Sequence, residues 1–103
     1  MMLLSVVFSC QEDLDALMST NKCEKCNLIR ANLSFADLDG AEFDGANLNE
    51  AFLSDANLKN TNLNNANLTY ADLTDAKHAK LNGATLCDTK MPDEKKNNSG
   101  CKQ

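Results

Sequence analysis

The side chains able to carry chemistry are few and widely spaced. His78 is the single histidine, and it stands between Lys77 and Lys80. A nucleophile–histidine site would have to be built around it, with a base in hydrogen-bond reach of a Ser or Cys. Five cysteines fall as Cys10, the pair in Cys23-Glu-Lys-Cys26, Cys87 and Cys101. Such spacing fits three chemistries: part of a zinc site, a redox pair, or structural disulfides. The carboxylates are numerous but mostly single, and paired acid–base work needs a cleft that holds two of them together. These residues assemble no catalytic, cofactor-binding or metal-binding set.

Bulk composition narrows the class further. The chain has 103 residues, no Trp, one Tyr, four Phe and one Pro, so it suits one small domain with a thin supply of large core side chains. Chains of this size often need covalent staples. Charge is uneven. Residues 26–75 carry eight acids against Arg30 and Lys59, residues 76–103 carry six Lys against three acids, and residues 1–25 are net acidic. An acidic body argues against binding nucleic acid, which requires phosphate neutralisation.

The organising signal is a period of five. Residues 26–75 divide without a gap into CNLIR, ANLSF, ADLDG, AEFDG, ANLNE, AFLSD, ANLKN, TNLNN, ANLTY and ADLTD. The third residue is Leu in every unit except the one with Phe43. The first is Ala except at Cys26 and Thr61, and the second is Asn or Asp except at Glu42 and Phe52. On an α-helix a step of five advances about 140° past a full turn, which scatters the leucines around the helix. On a strand an odd step flips successive leucines to opposite faces. A solenoid that turns a corner after each unit can point all of them inward, with the small Ala beside them and polar residues outside.

This Ala-(Asn/Asp)-Leu-X-X pattern resembles the pentapeptide-repeat family over residues 26–75, and again over about 79–93. The resemblance implies an all-β fold, a right-handed quadrilateral β-helix with four units per coil and about three coils. Residues twenty apart then stack at about 4.8 Å. The expected inner columns are Leu28/Leu48/Leu68, Leu33/Leu53/Leu73, Leu38/Leu58 and Phe43/Leu63, with Leu81, Leu86 and Met91 in the last coil. Asn27/Asn47/Asn67 would form an outer amide ladder, and Asp55 and Asp75 would share an outer column.

Both ends of such a stack need cover. Residues 11–25 are expected to form an N-terminal helical cap, with Leu14, Leu17 and Met18 as one apolar stripe of a short α-helix and acids in its first turn. Residues 94–103 form a C-terminal tail. With the cysteine pairs at opposite ends of the implied rod, a shared zinc site is excluded. Two local disulfides, Cys23–Cys26 and Cys87–Cys101, are the favoured reading, with a redox Cys-x-x-Cys as the alternative. The tail is also similar to that of many cyanobacterial members, where a Cys…Met-Pro-Asp…Asn-Ser-Gly-Cys ending closes the helix. Disulfides imply an oxidising compartment, the periplasm or thylakoid lumen. Residues 1–10 read as an apolar remnant of an export signal, too short to span a membrane. Val7-Phe8-Ser9-Cys10 is similar to a lipobox, so Cys10 is a candidate lipidation site and the one expected route to a membrane. A buried apolar strand is the plain alternative.

Function is expected to be non-catalytic: an exported, monomeric structural or protein-interaction module whose partner is an unidentified protein. Phe35, Phe52 and Tyr70, all at outward positions, are the candidate interaction surface. The second reading is a DNA-mimicking inhibitor or protector of DNA gyrase, as the resemblance to another branch of the family implies; short length and disulfides count against it. One irregularity remains. Ala76-Lys77-His78 takes three residues where five are expected. It reads as a bulge or shortened side, with His78 tilted outward.

Overall fold

The computed structural model describes residues 10–101, with side chains from Asp13 onward. Segment 1–9 and the Cys10 side chain lie outside the described residues, and so do the export-signal and lipidation expectations. The order of regular elements is α1 (Cys10–Thr20), β1 (Thr89–Lys90) and β2 (Lys96–Asn97). Between α1 and β1 the chain is a stack of pentapeptides, each too short to form an extended strand.

Every regular unit is built alike. Its second residue pairs in parallel with the second residue of the unit twenty positions on, as in Asn27–Asn47–Asn67, Asn32–Phe52–Asp72, Asp37–Asn57–Lys77 and Lys22–Glu42–Asn62. These four columns define the first to fourth walls of a square coil. The leucine N–H donates upward, Leu28 to Asn47 O at 2.8 Å, and the Asn47 N–H donates back to Cys26 O at 2.8 Å. The fourth and fifth residues turn the corner. The next N–H closes the turn onto the inward residue's carbonyl, Ala31 to Leu28 at 3.0 Å and Ala46 to Phe43 at 2.8 Å.

From Arg30 to Asp75 every fifth residue has φ between 57° and 76°, yet only Gly40 and Gly45 of the ten are glycine. A positive φ at the third of four turn residues is the signature of a type II turn. Such a turn sends the chain off at the corner while the next unit stays in the plane of the coil.

This geometry leaves the third residue nowhere to go but inward. Leu28, Leu33, Leu38, Phe43, Leu48, Leu53, Leu58, Leu63, Leu68 and Leu73 are all buried, as is Leu86. Each fully buried leucine contributes roughly 1.5–3 kcal/mol. Alanine occupies the first position because the corner brings two walls together. Where a hydroxyl replaces it, the polar atom is satisfied in the same way each time. Thr61 Oγ1 donates to Leu38 O at 2.9 Å, and Thr89 Oγ1 to Leu68 O at 2.7 Å.

The structure departs from the sequence reading in four places. First, the stack begins at Asn21, because Lys22 pairs with Glu42 and Cys23 fills the inward slot beneath Phe43. Residues 21–25 are therefore a coil unit and not part of the cap. Asn21, at φ 65°, also ends α1 in the left-handed conformation common after a helix. Second, Met18 is 55% exposed; only Leu17 of the expected stripe is fully buried. Third, the outer asparagines spend their acceptors on their own turns: Asn47 Oδ1 accepts from Asn49 N–H at 3.1 Å, and Asn67 Oδ1 from Thr69 N–H at 3.0 Å. A side-chain rung does form on the third wall, from Asn57 Nδ2 to Asp37 Oδ1 at 3.1 Å. Fourth, Leu81 is only half-buried. The last coil is shortened, in keeping with the three-residue unit at Ala76–His78: Asn67 pairs with Thr85 and Asp72 with Lys90, eighteen residues on.

The shortening falls on the third wall. Lys77 still pairs with Asn57, but His78 immediately takes φ 60° and is exposed. It does at the third position what the fifth residue does elsewhere.

Both ends are closed. On the first coil, below which the described residues form no further coil, the Asp13 carboxylate of α1 accepts from the Asn27 N–H at 2.6 Å. Disulfides join Cys23 to Cys26 and Cys87 to Cys101. The tail forms the β1–β2 hairpin over the second wall and runs back over the first, where Gly100 N–H donates to Leu86 O at 2.7 Å. A Cβ at Gly100 would meet Leu86 N and O at 3.0 Å, so any other residue would have to push the tail back by a few tenths of an ångström.

Two outcomes follow. Leu48→Ala, in the buried middle of the stack, is expected to destabilise by about 2–5 kcal/mol in denaturant unfolding, and Leu81→Ala by clearly less. Cys101→Ser is expected to release the tail alone, because each layer of a solenoid contacts only its neighbours. Hydrogen exchange should then speed up at Met91 and Gly100 while Leu48 and Leu53 stay protected; loss of protection across the stack would show that the tail holds the whole fold.

Candidate interaction surface

The outward positions of the second wall and its two corners bring the three exposed aromatics onto one side. Their placement follows from the register of the ladder. Tyr70 is the corner residue between the first and second walls. Phe52 is the second residue of the second wall, one coil lower, since it pairs with Asp72 above and Asn32 below. Phe35 is the far corner of the same wall, another coil lower, with its N–H donating to Ser54 O at 2.9 Å. Tyr70, Phe52 and Phe35 thus descend diagonally across one face, one coil per step, at about 4.8 Å per coil. They are 57%, 49% and 78% exposed.

None of the three suits its position on local grounds. Phe35 and Tyr70 hold φ of 64° and 61°. A bulky side chain at positive φ is an outlier, whereas Asn and Asp are enriched there. Phe52 stands where eight other units place Asn or Asp. In those units the side chain caps the turn, as Asp72 Oδ1 does for Thr74 N–H at 3.0 Å. A phenyl ring cannot accept that bond.

Charged groups complete the wall. The far-corner column continues upward from Phe35 through Asp55 and Asp75: Asp55 N–H donates to Thr74 O at 2.9 Å and Asp75 N–H to Pro92 O at 3.1 Å. Between the corners Asp72 lies beneath Lys90. Burial pushes the Asp72 carboxyl up, but hydrogen bonds from the Thr74 hydroxyl and N–H and the charge of Lys90 outweigh it, and its pKa lies below the ordinary value. On the near corner Arg30 is tied to Glu50, Nε to Oε1 at 2.7 Å.

The remaining candidates are dispersed. The two disulfides sit at the two ends of the stack, and His78 lies on a corner of the third wall. A hollow of about 620 Å³ opens beside the tail, lined by Met91, Pro92, Lys95 and Lys96 among others. Asp93, Asn97 and Asn98 complete the lining, which holds no histidine, cysteine or hydroxyl to serve as a nucleophile. Sequence reasoning did not identify Cys23 as an inward residue or Thr89 as a buried one. Carrying the five-residue count back through NKCEK and forward through TKMPD would have found both.

The family model described as pentapeptide repeats matches eight copies, over residues 26–65 and 41–77. Among curated proteins, none matches the chain. A solved pentapeptide repeat protein from the Arabidopsis thaliana thylakoid lumen is 30% identical over 68% of this chain, with a TM-score of 0.30. This chain spans 54% of that one. With its repeats matched over half of its length, the chain belongs to the pentapeptide-repeat family, whose coil is a right-handed β-helix.

Proposed function

We propose that the chain is a non-catalytic protein-interaction module that receives its partner on the second wall. The observation that carries this reading is the aromatic diagonal. Single exposed aromatics are ordinary on protein surfaces. Three on one wall, two of them at left-handed corners and one in place of a turn-capping residue, are not what the fold by itself calls for. The stack supports such a role physically: its outward side chains can vary freely, while the inward Leu and Ala positions keep the wall rigid. The two disulfides favour an exported protein in an oxidising compartment, the periplasm or thylakoid lumen.

Because the aromatics are locally unfavourable, their removal separates function from folding. The triple variant Phe35→Asn, Phe52→Asn, Tyr70→Asn places the repeat's preferred residues on the wall. It is expected to raise the thermal midpoint, by about 4–8 °C for each kcal/mol recovered. It is also expected to lose the partner that the unaltered chain captures from extracts of its source cells. Undiminished capture by this more stable variant would refute the reading.

A further inference from the structure

We propose that the partner presents a basic segment, and that arginine is the residue the second wall selects. This rests on the reading of that wall as the interaction surface and adds the chemistry of what it holds. The far-corner column consists of Phe35, Asp55 and Asp75. Consecutive members lie one coil apart, about 4.8 Å. Stacked like charges destabilise neighbouring strands; the left-handed corner favours Asp over bulkier residues but does not require its charge. Asn60 and Asn65 hold the same left-handed corner at φ 57° and 62° with no charge. The ion pairs among the described residues are Arg30–Glu50 and Lys96–Asp88, so neither Asp55 nor Asp75 has a cationic partner among them. The Ser54 hydroxyl makes a long contact to Asp55 Oδ2, 3.4 Å, which leaves the charge uncompensated. Lys90, on the same wall, faces Asp72.

An aromatic ring with a bare carboxylate one coil above it is a site for a guanidinium. The cation can lie over the Phe35 ring within the roughly 6 Å that cation–π attraction requires. Its planar fork of N–H donors then faces Asp55, with Asp75 open to a second basic residue. Lysine offers a point charge without the flat face or the fork, so it binds the same wall less well. Phe52 and Tyr70 lie on the other side of this column and cover the apolar residues between the cations. The same carboxylates repel nucleic acid, which removes a polyanion as the occupant.

The test uses the full chain with its disulfides intact and three acetylated, amidated nonapeptides in which leucine alternates with arginine, lysine or glutamine. Amide shifts in the nitrogen-15 spectrum map each titration. The arginine peptide is expected to shift residues 32–35, 52–55 and 70–75, to bind at least about fivefold more tightly than the lysine peptide, and to weaken as salt screens the carboxylates. Asp55→Asn with Asp75→Asn suits the left-handed corners and is expected to keep or raise the thermal midpoint while reducing arginine-peptide affinity about tenfold, or 1.4 kcal/mol. Three results would overturn the inference: equal binding of the glutamine peptide, full affinity in the double Asn variant, or shifts confined to another wall. A dimer of the chain closed over Phe52 would overturn it too, since the wall would then be occupied by a second copy. If the inference fails while the triple aromatic variant still loses its natural partner, the wall remains an interaction surface of different chemistry. If that variant keeps its partner, both readings fall.

Discussion

A left-handed residue at every fifth position is the constraint on which the structure depends. A corner with φ near 60° after each four residues lets the third residue of every unit face one axis. Leucine and phenylalanine then fill the axis, and alanine the narrow space beside each corner. Each non-glycine residue in this conformation costs on the order of 1 kcal/mol. The stack offsets that cost by burying one large side chain per unit and by pairing backbone groups above and below. The outward composition follows from the same constraint. Asn, Asp and Gly at the corners lower the cost, and Asn or Asp at the second position accepts the N–H two residues on. The repeat is thus a record of turn chemistry as much as of hydrophobic burial.

A stack of layers has two ends, and here their closure is made of specific bonds. At the base an aspartate stands in for a further coil, giving the Asn27 N–H the acceptor that the Asn47 N–H finds in Cys26. At the top the chain folds its own tail back over the last coil, with Thr89 and Gly100 chosen by the tightness of that approach. The disulfides pin both closures. Cys23 and Cys26 occupy a leucine slot and an alanine slot, so the first bond is also part of the core.

The inward half of the fold is open to sequence reasoning because burial repeats with the period. Leu28 to Leu73 and Phe43 declare themselves by type and spacing alone. What eludes such reasoning is what the chain does once at its ends, where no repetition averages out the noise. Cys23 in NKCEK carries the count but not the residue type. Met18 has helical spacing to Leu14 but is 55% exposed. The outer asparagines mislead for another reason. An amide at this spacing can serve either its own turn or its neighbour above, and the nearer bond, two residues away in sequence, prevails in Asn47 and Asn67. The aromatic wall is legible in part. Its residues stand out by type, but the strain that makes Phe35 and Tyr70 informative is a backbone property.

The short side at Ala76–His78 shows how inward and outward demands are reconciled. Continued by twenties, the inward slots above Leu63, Leu68 and Leu73 would receive Gly83, Asp88 and Asp93. That would put a void and two uncompensated carboxylates in the core, at several kcal/mol for each buried charge. Removing two residues from one wall replaces them with Leu81, Leu86 and Met91. The same shift acts outside. Above Asp72 an unbroken count would place Pro92; the shortened coil places Lys90, whose charge helps hold that carboxyl ionised. Only the third wall changes length, and it does so by moving a left-handed corner forward onto His78. The histidine that first invites a catalytic reading is therefore the hinge of a register shift. One early corner keeps the last coil apolar within and sets which charges meet on the wall that bears the aromatics.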